Sequence, residues 1–175
     1  MTVIDFTAFI GRLATSSGET ILPFFRTSLS IDNKSASDFD PVTEADRAAE
    51  AVMRRLIKAN FPQHGIVGEE FGNEREDADY VWVLDPIDGT KSFVRQYPMF
   101  STQIAWMRQG RLELGVSSAP VYGETAWAER GRPQDGTRDL AKGFLSLCTA
   151  AVQSEVFNAI LDRRLPDLGQ VREGD

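Results

Sequence analysis

The chain has 175 residues, enough for one domain or two small ones, and 26 Asp and Glu against 19 Lys and Arg give it a net charge of −7. An apolar share of 42%, with Phe 11, Trp 3 and Tyr 3, excludes wholesale disorder. The acidic balance argues against a protein that grips a nucleic acid polymer through its phosphates, and any phosphate chemistry here needs something, a divalent metal first of all, to cancel the repulsion.

Met1 to Ile10 carries Asp5 and no basic flank, so no secretory signal is expected. From Val3 to Phe25 the apolar residues Phe6, Phe9, Ile10, Leu13, Ile21, Leu22 and Phe25 recur at helical spacing, with Gly18 as the expected point of interruption or kinking. Ser30 to Asp40 is polar and reads as a loop or a short exposed hairpin. Thr43 with Asp46 three residues on has the pattern of a helix N-cap, close to a capping box. The helix it opens shows an apolar stripe of Ala48, Ala49, Val52, Met53, Leu56 and Ile57, and Asn60, Pro62 and Gly65 end it.

The period then changes. Ile66-Val67, Tyr80 to Leu84, Ser101 to Met107, Leu112 to Ser118 and Glu124 to Ala128 read as strands, with Gln109-Gly110 as a tight turn and Pro120 as a break. Two helices followed by a meander predict a layered α/β fold, with the helices on one face of a largely antiparallel sheet. Gly131 to Gly136 reads as a loop and Val152 to Leu161 as a helix. No apolar run reaches membrane-spanning length, so a cytoplasmic protein is expected. The single Cys148 and single His64 make neither a disulfide nor a zinc site, and Cys148 is expected to be a small buried apolar residue.

Chemistry concentrates in Leu84-Asp85-Pro86-Ile87-Asp88-Gly89-Thr90. Two carboxylates three residues apart at the end of an apolar strand repel each other unless a cation lies between them, and such oxygen ligands suit Mg²⁺ or Mn²⁺. Gly89 and Thr90 can open a helix whose amides take an anion. The bland reading is an ordinary turn, because Asp, Pro and Gly are all turn residues. Gly68-Glu69-Glu70 is a second acid pair on another strand end. Residues 69–88 hold eight acids and one base, Arg75. For Glu74 to Asp79 a solvated acidic loop is the better reading; for Glu69, directly after Ile66-Val67-Gly68, it is the weaker one. Pro41-Val42-Thr43-Glu44-Ala45-Asp46 by itself is a helix cap. Phosphatases of the haloacid-dehalogenase type carry Asp-x-Asp-Gly-Thr after a strand, but here the two Asp stand one residue further apart.

In this order the three segments resemble the inositol monophosphatase family. Gly68-Glu69-Glu70 is similar to its first acidic motif, Asp85 to Thr90 to its Asp-Pro-(Ile/Leu)-Asp-Gly-Thr signature, and Val42 to Asp46 to its Val-Thr-x-x-Asp. The resemblance runs over about residues 1–131, so residues 1–131 are expected to form a metal-binding phosphatase core, the N-terminal part of the sugar-phosphatase fold. Residues 132–175 are expected to begin an incomplete second domain.

The resemblance implies Mg²⁺-dependent, lithium-sensitive hydrolysis of a small phosphorylated metabolite, with Mn²⁺ as a possible substitute. It implies Glu69, Asp85, Asp88 and the Ile87 carbonyl as metal ligands. It assigns Asp46 and Thr90, assisted by Glu69, to the attacking water, and Gly89, Thr90 and Lys34 to the phosphate. A homodimer is the expected assembly. Asp-Gly-Thr-Lys-x-Phe at Asp88 to Phe93 is similar to bacterial histidinol-phosphate phosphatases and to 3'(2'),5'-bisphosphate nucleotidases, and Val67 to Gly72 favours the first. None of Trp82, Trp106 and Trp127 precedes an Asp, so the family's further Trp-Asp metal ligand has no counterpart here. A truncated, catalytically impaired fragment or metal-binding module is the alternative expectation, unless Asp135 or Asp139 supplies the ligand.

Overall fold

The computed structural model describes residues 5–28, 31–33 and 41–130. The expectations for Lys34, Cys148, the 131–136 loop, the 152–161 helix and a second domain lie outside these residues.

Helix α1 (Phe6–Ile21) starts where the Asp5 side chain accepts from the amide of Ala8, and a 3-10 turn, Leu22–Phe24, follows it. Pro23 has no amide to give and stops the helix. Gly18 does not interrupt α1, one of the two expected effects: the helix runs unbroken from Phe6 to Ile21. Gly18 is a close-packing position, where a Cβ would sit 3.0 Å from the Pro120 side chain. Strands β1 (Ile31–Asn33) and β2 (Pro41–Thr43) form an antiparallel pair, in which the exposed β1 comes from the segment read as a loop or hairpin and its partner, the buried β2, lies just beyond that segment.

Helix α2 (Glu44–Asn60) opens with the expected capping box. Its buried face is rotated from the predicted stripe. Ala45, Ala49, Met53 and Ile57 are fully buried, whereas Ala48, Val52 and Leu56 are only half-buried. Beside that apolar row runs a second buried row at helical spacing, Asp46, Glu50 and Arg54, which the apolar pattern could not reveal.

The main sheet contains β3 (Gly65–Gly68), β4 (Gly72–Glu74), β5 (Tyr80–Asp88), β6 (Ser101–Arg108), β7 (Arg111–Ala119) and β8 (Glu124–Glu129), in the order β4-β3-β5-β6-β7-β8. It is largely antiparallel, as expected, but not a pure meander, because β3 and β5 are parallel. Glu74, read as solvated loop, ends strand β4 and engages Arg54 and Lys58. Gln109 and Gly110 take φ of 50° and 76° and close the β6–β7 hairpin, the left-handed pair that a two-residue turn of this kind requires.

Helices α1 and α2 bury Phe9, Ile10, Leu13, Met53 and Ile57 against Trp82, Leu84, Ile104, Leu114 and Val116 of the sheet. Alternation along β5 sends Val81 and Val83 to the other face, where they cluster with Val67, Ala105 and Met107. The buried Trp82 indole donates to His64 Nδ1 at 3.0 Å, and burial pushes the His64 imidazole pKa down. Among the described residues no helix is long and apolar enough to cross a membrane.

Because Leu13 is fully enclosed between helix and sheet, Leu13→Ala should destabilise the protein by about 2–5 kcal/mol in denaturant titration. Leu22→Ala, 41% exposed just beyond the helix, should stay within about 0.5 kcal/mol.

Candidate active site

The site is assembled at one end of the sheet. Parallel pairing sets Gly68 beside Leu84, and the Glu69 amide extends the ladder by donating to the Leu84 carbonyl at 3.3 Å. Glu69 and Asp85, the next residues of the two strands, therefore emerge side by side at their carboxyl ends. Asp88 follows on β5, past a register shift that brings it opposite Ser101. The shift is a bulge, and a bulge re-aims side chains while the strand continues. The strand, expected to end at Leu84, thus runs on to Asp88, which goes against the bland reading of this segment as an ordinary turn.

At Gly89 the chain adopts φ 93°, and a Cβ there would lie 2.8 Å from the Met99 carbonyl. Position 89 thus needs glycine twice over. Thr90 then opens helix α3 (Thr90–Val94), whose first amides have no intrahelical acceptor. The fully buried Phe93 and Ile87 tie this turn to Ile21, Ala45 and Ala49 of the two long helices.

Asp46 enters from the start of α2 and divides its two oxygens. Oδ2 accepts from the Thr43 amide at 2.9 Å and the Thr43 hydroxyl at 2.5 Å. Oδ1 faces Thr90 Oγ1 at 3.4 Å, while the same hydroxyl donates to the Ile87 carbonyl at 2.8 Å. The cap and the meeting with Thr90 were competing readings of Asp46; both geometries are present. Thr90 has one proton and two acceptors in reach, so it can turn from one to the other.

The acids perturb one another. Burial first, then the charges of Glu69 and Asp88, then a hydrogen bond with the Glu69 carboxyl, and last the charge of Asp46, push the Asp85 pKa well above its usual value. Asp85 Oδ1 is sealed from solvent without a hydrogen-bond partner. Burial also raises Asp88, opposed by Gln103 Nε2 at 3.5 Å, and raises Asp46, opposed by the Thr43 donors. Gln103, itself held by Ser101 Oγ at 2.8 Å, was not singled out in the sequence. Its only signal was that it lies on the strand that had to pair with Asp88.

The structure therefore brings Asp46, Glu69, Asp85, Ile87, Asp88, Gly89 and Thr90 to one end of the sheet. Among the described residues no three Asp, Glu, His or Cys side chains are gathered closely enough to enclose an ion. The donor set itself is all oxygen, which suits a hard divalent cation, and the orphaned Asp85 Oδ1 is a buried acceptor with nothing to accept.

The profile of the inositol monophosphatase family matches residues 4–157. The bifunctional phosphatase IMPL2 of Arabidopsis thaliana is 46% identical over 75% of this chain and 38% of its own length. A histidinol-phosphatase of Chlorobaculum parvum is 43% identical over 69% of this chain and 46% of its own. Among solved structures, an IMPase of Thermotoga maritima superposes with a TM-score of 0.66 at 35% identity, over 73% of this chain and 49% of the other. The chain spans less than half the length of these curated relatives.

Asp85 ionises at the cost of a buried charge whose Oδ1 has no partner, so Asp85→Asn should raise the Tm of the metal-free protein by about 2–4 °C, the shift roughly 1 kcal/mol produces in a chain of this size. The sign with pH follows from the raised pKa. The folded state holds the Asp85 proton more tightly than the unfolded state, so this contribution is present below the ordinary 3.8 and lost as pH rises through the folded value. The advantage of Asp85→Asn should be larger at neutral pH than in the carboxylate range, as read by calorimetry across pH.

Proposed function

The chain belongs to the inositol monophosphatase family, and on that premise we propose that it serves metal-assisted hydrolysis of a small phosphomonoester. The observation that carries this reading is the sealed, unpartnered Oδ1 of Asp85 in the midst of Glu69, Asp88 and Asp46. Glu69, Asp85 and Asp88, with the Ile87 carbonyl, are the groups that would hold a cation, whose charge would offset their mutual repulsion. When bound, such a cation supplies positive charge that offsets the phosphate and makes water easier to deprotonate.

The chain's own residues do the rest. Burial makes Asp46 a stronger base than an ordinary carboxylate. With Oδ2 occupied by the cap, Oδ1 is the oxygen that faces Thr90. When the Thr90 hydroxyl turns from the Ile87 carbonyl to Asp46 Oδ1, its lone pairs are left to accept from the attacking water. The water oxygen forms a bond to phosphorus and the ester P–O bond breaks. The water proton passes through Thr90 to Asp46, the departing alcohol oxygen takes a proton from solvent water, and Asp46 returns its own to solvent, so that the alcohol and hydrogen phosphate leave and the carboxylate is regenerated. The Gly89 and Thr90 amides hold the phosphate oxygens, and the left-handed Gly89 lets the backbone approach them. Lys34 is a further phosphate contact in this reading, carried by the sequence resemblance alone.

The alcohol is best read as histidinol. Residues Asp88 to Phe93 carry the pattern of that group, and a relative named histidinol-phosphatase is 43% identical over the matched region.

Phosphate release should be measured with histidinol phosphate, inositol phosphate and adenosine 3',5'-bisphosphate, with and without Mg²⁺. Histidinol phosphate with Mg²⁺ should turn over fastest. Thr90→Ala should lower kcat by about 10²–10⁴-fold with little change in KM. Metal-independent turnover, or Thr90→Ala at full activity, would overturn the mechanism.

A further inference from the structure

Glu50 lies on α2 one turn beyond Asp46 and is completely buried. Both of its oxygens are engaged. Oε2 accepts from the Glu70 amide at 2.7 Å; Oε1 accepts from the Phe71 amide at 3.2 Å and from Arg54 Nε at 2.7 Å. Arg54 in turn donates to the Gly72 carbonyl and, at 2.8 Å, to Glu74. Gly68 has no side chain where Glu50 arrives: a Cβ at position 68 would collide with Glu50 Oε1 and Arg54 Nη2.

Glu69 is thus bracketed. Its own amide is tied to Leu84, the residue before it packs bare backbone against Glu50, and the two amides after it end on the Glu50 carboxylate. We propose that Glu50 is a positioning residue: from within α2 it fixes the loop that presents Glu69, and so holds Glu69 in register with Asp46 on the same helix. The inference rests on the reading of Glu69 as a metal ligand.

The physical case is one of length and charge. A carboxylate that takes two successive amides leaves the loop no freedom to rotate between them, which a water or a single acceptor would not achieve. Arg54 neutralises Glu50, so the anchor adds little repulsion to a site already crowded with acids. The helix acts as a ruler, since residues four apart lie on one face about one turn apart. Asp46 and the anchor of Glu69 therefore cannot shift relative to each other without breaking α2. A loop acid left unanchored would have to be ordered by the cation itself, at a cost in affinity.

The test uses Mn²⁺ as the probe, followed by electron paramagnetic resonance well below the Tm, with residue-resolved amide exchange on the metal-free protein. In Glu50→Gln one acceptor oxygen becomes a donor facing a loop amide. The double substitution Glu50→Met with Arg54→Met replaces the buried pair by apolar volume and guards against misfolding, because removing both partners is commonly tolerated where removing one is not.

In both variants the Glu70 and Phe71 amides should exchange roughly tenfold faster, while those of Met53 and Ile57 keep their protection. The Mn²⁺ Kd should rise about 10–100-fold, as for other loss of support behind a ligand. Glu74→Gln, which removes the charge from the outer contact of Arg54 and leaves the loop amides held, should stay within about twofold. If the parent binds Mn²⁺ and the double variant binds it equally well, or if the two amides keep their protection, the positioning role is wrong and the metal site stands. If the parent binds no Mn²⁺, the metal reading of Glu69 fails and takes this role with it.

Discussion

Carboxylates brought together where water cannot screen them repel one another, and the architecture at this end of the sheet is a way of holding them there regardless. The force comes from the backbone. Glu69 and Asp85 stand adjacent because the hydrogen-bond ladder of two parallel strands runs out just before them. Asp88 is re-aimed by the shift of register on β5. Asp46 is held by its own helix cap at the end where the helix dipole favours negative charge. None of these placements depends on attraction between the side chains that matter.

Such a cluster needs a stiff support, and the apolar layer supplies it. Leu84 and Trp82 precede the acids on β5 and are locked under α1 and α2, with the aromatic rings of Phe6, Phe9, Phe61 and Trp106 around them. The last apolar grip before the site is Leu84, and the next is Ile87, enclosed with Phe93 and Phe100. The two acids of the signature thus alternate with buried hydrophobic anchors, so the turn cannot swing out to relieve its charge. Buried hydroxyls add to this: Ser17 meets Thr102 at 2.8 Å, and Thr102 donates to the Pro86 carbonyl at 2.8 Å.

Several features were legible because they are local. The capping box at Thr43 is a matter of spacing within one turn, and the Gln109-Gly110 hairpin needs only two residues that tolerate positive φ. Others were misread because the deciding partner lies far along the chain. Gly18 looked like a flaw in a helix until Pro120 was placed against it. Glu50 and Arg54 were not singled out at all, because two opposite charges four apart on a helix look like an ordinary exposed ion pair, yet they are buried where the loop after β3 meets α2.

The sequence by itself determined which residues could do chemistry: acids at strand ends, a glycine where the chain must turn left-handed, a threonine at the head of a short helix. It also determined the period of each long element, because periodicity is written in the side chains of that element alone. Only the tertiary structure decided that Glu69 and Asp85 are neighbours, that Asp46, besides capping its own helix, faces Thr90, and that one acid of α2 is bound into the loop of another. These are contacts across 15 to 44 residues of chain or between separate strands, and no local pattern encodes them. They come into being when burial of the apolar faces brings the strand ends and the start of α2 to the same place.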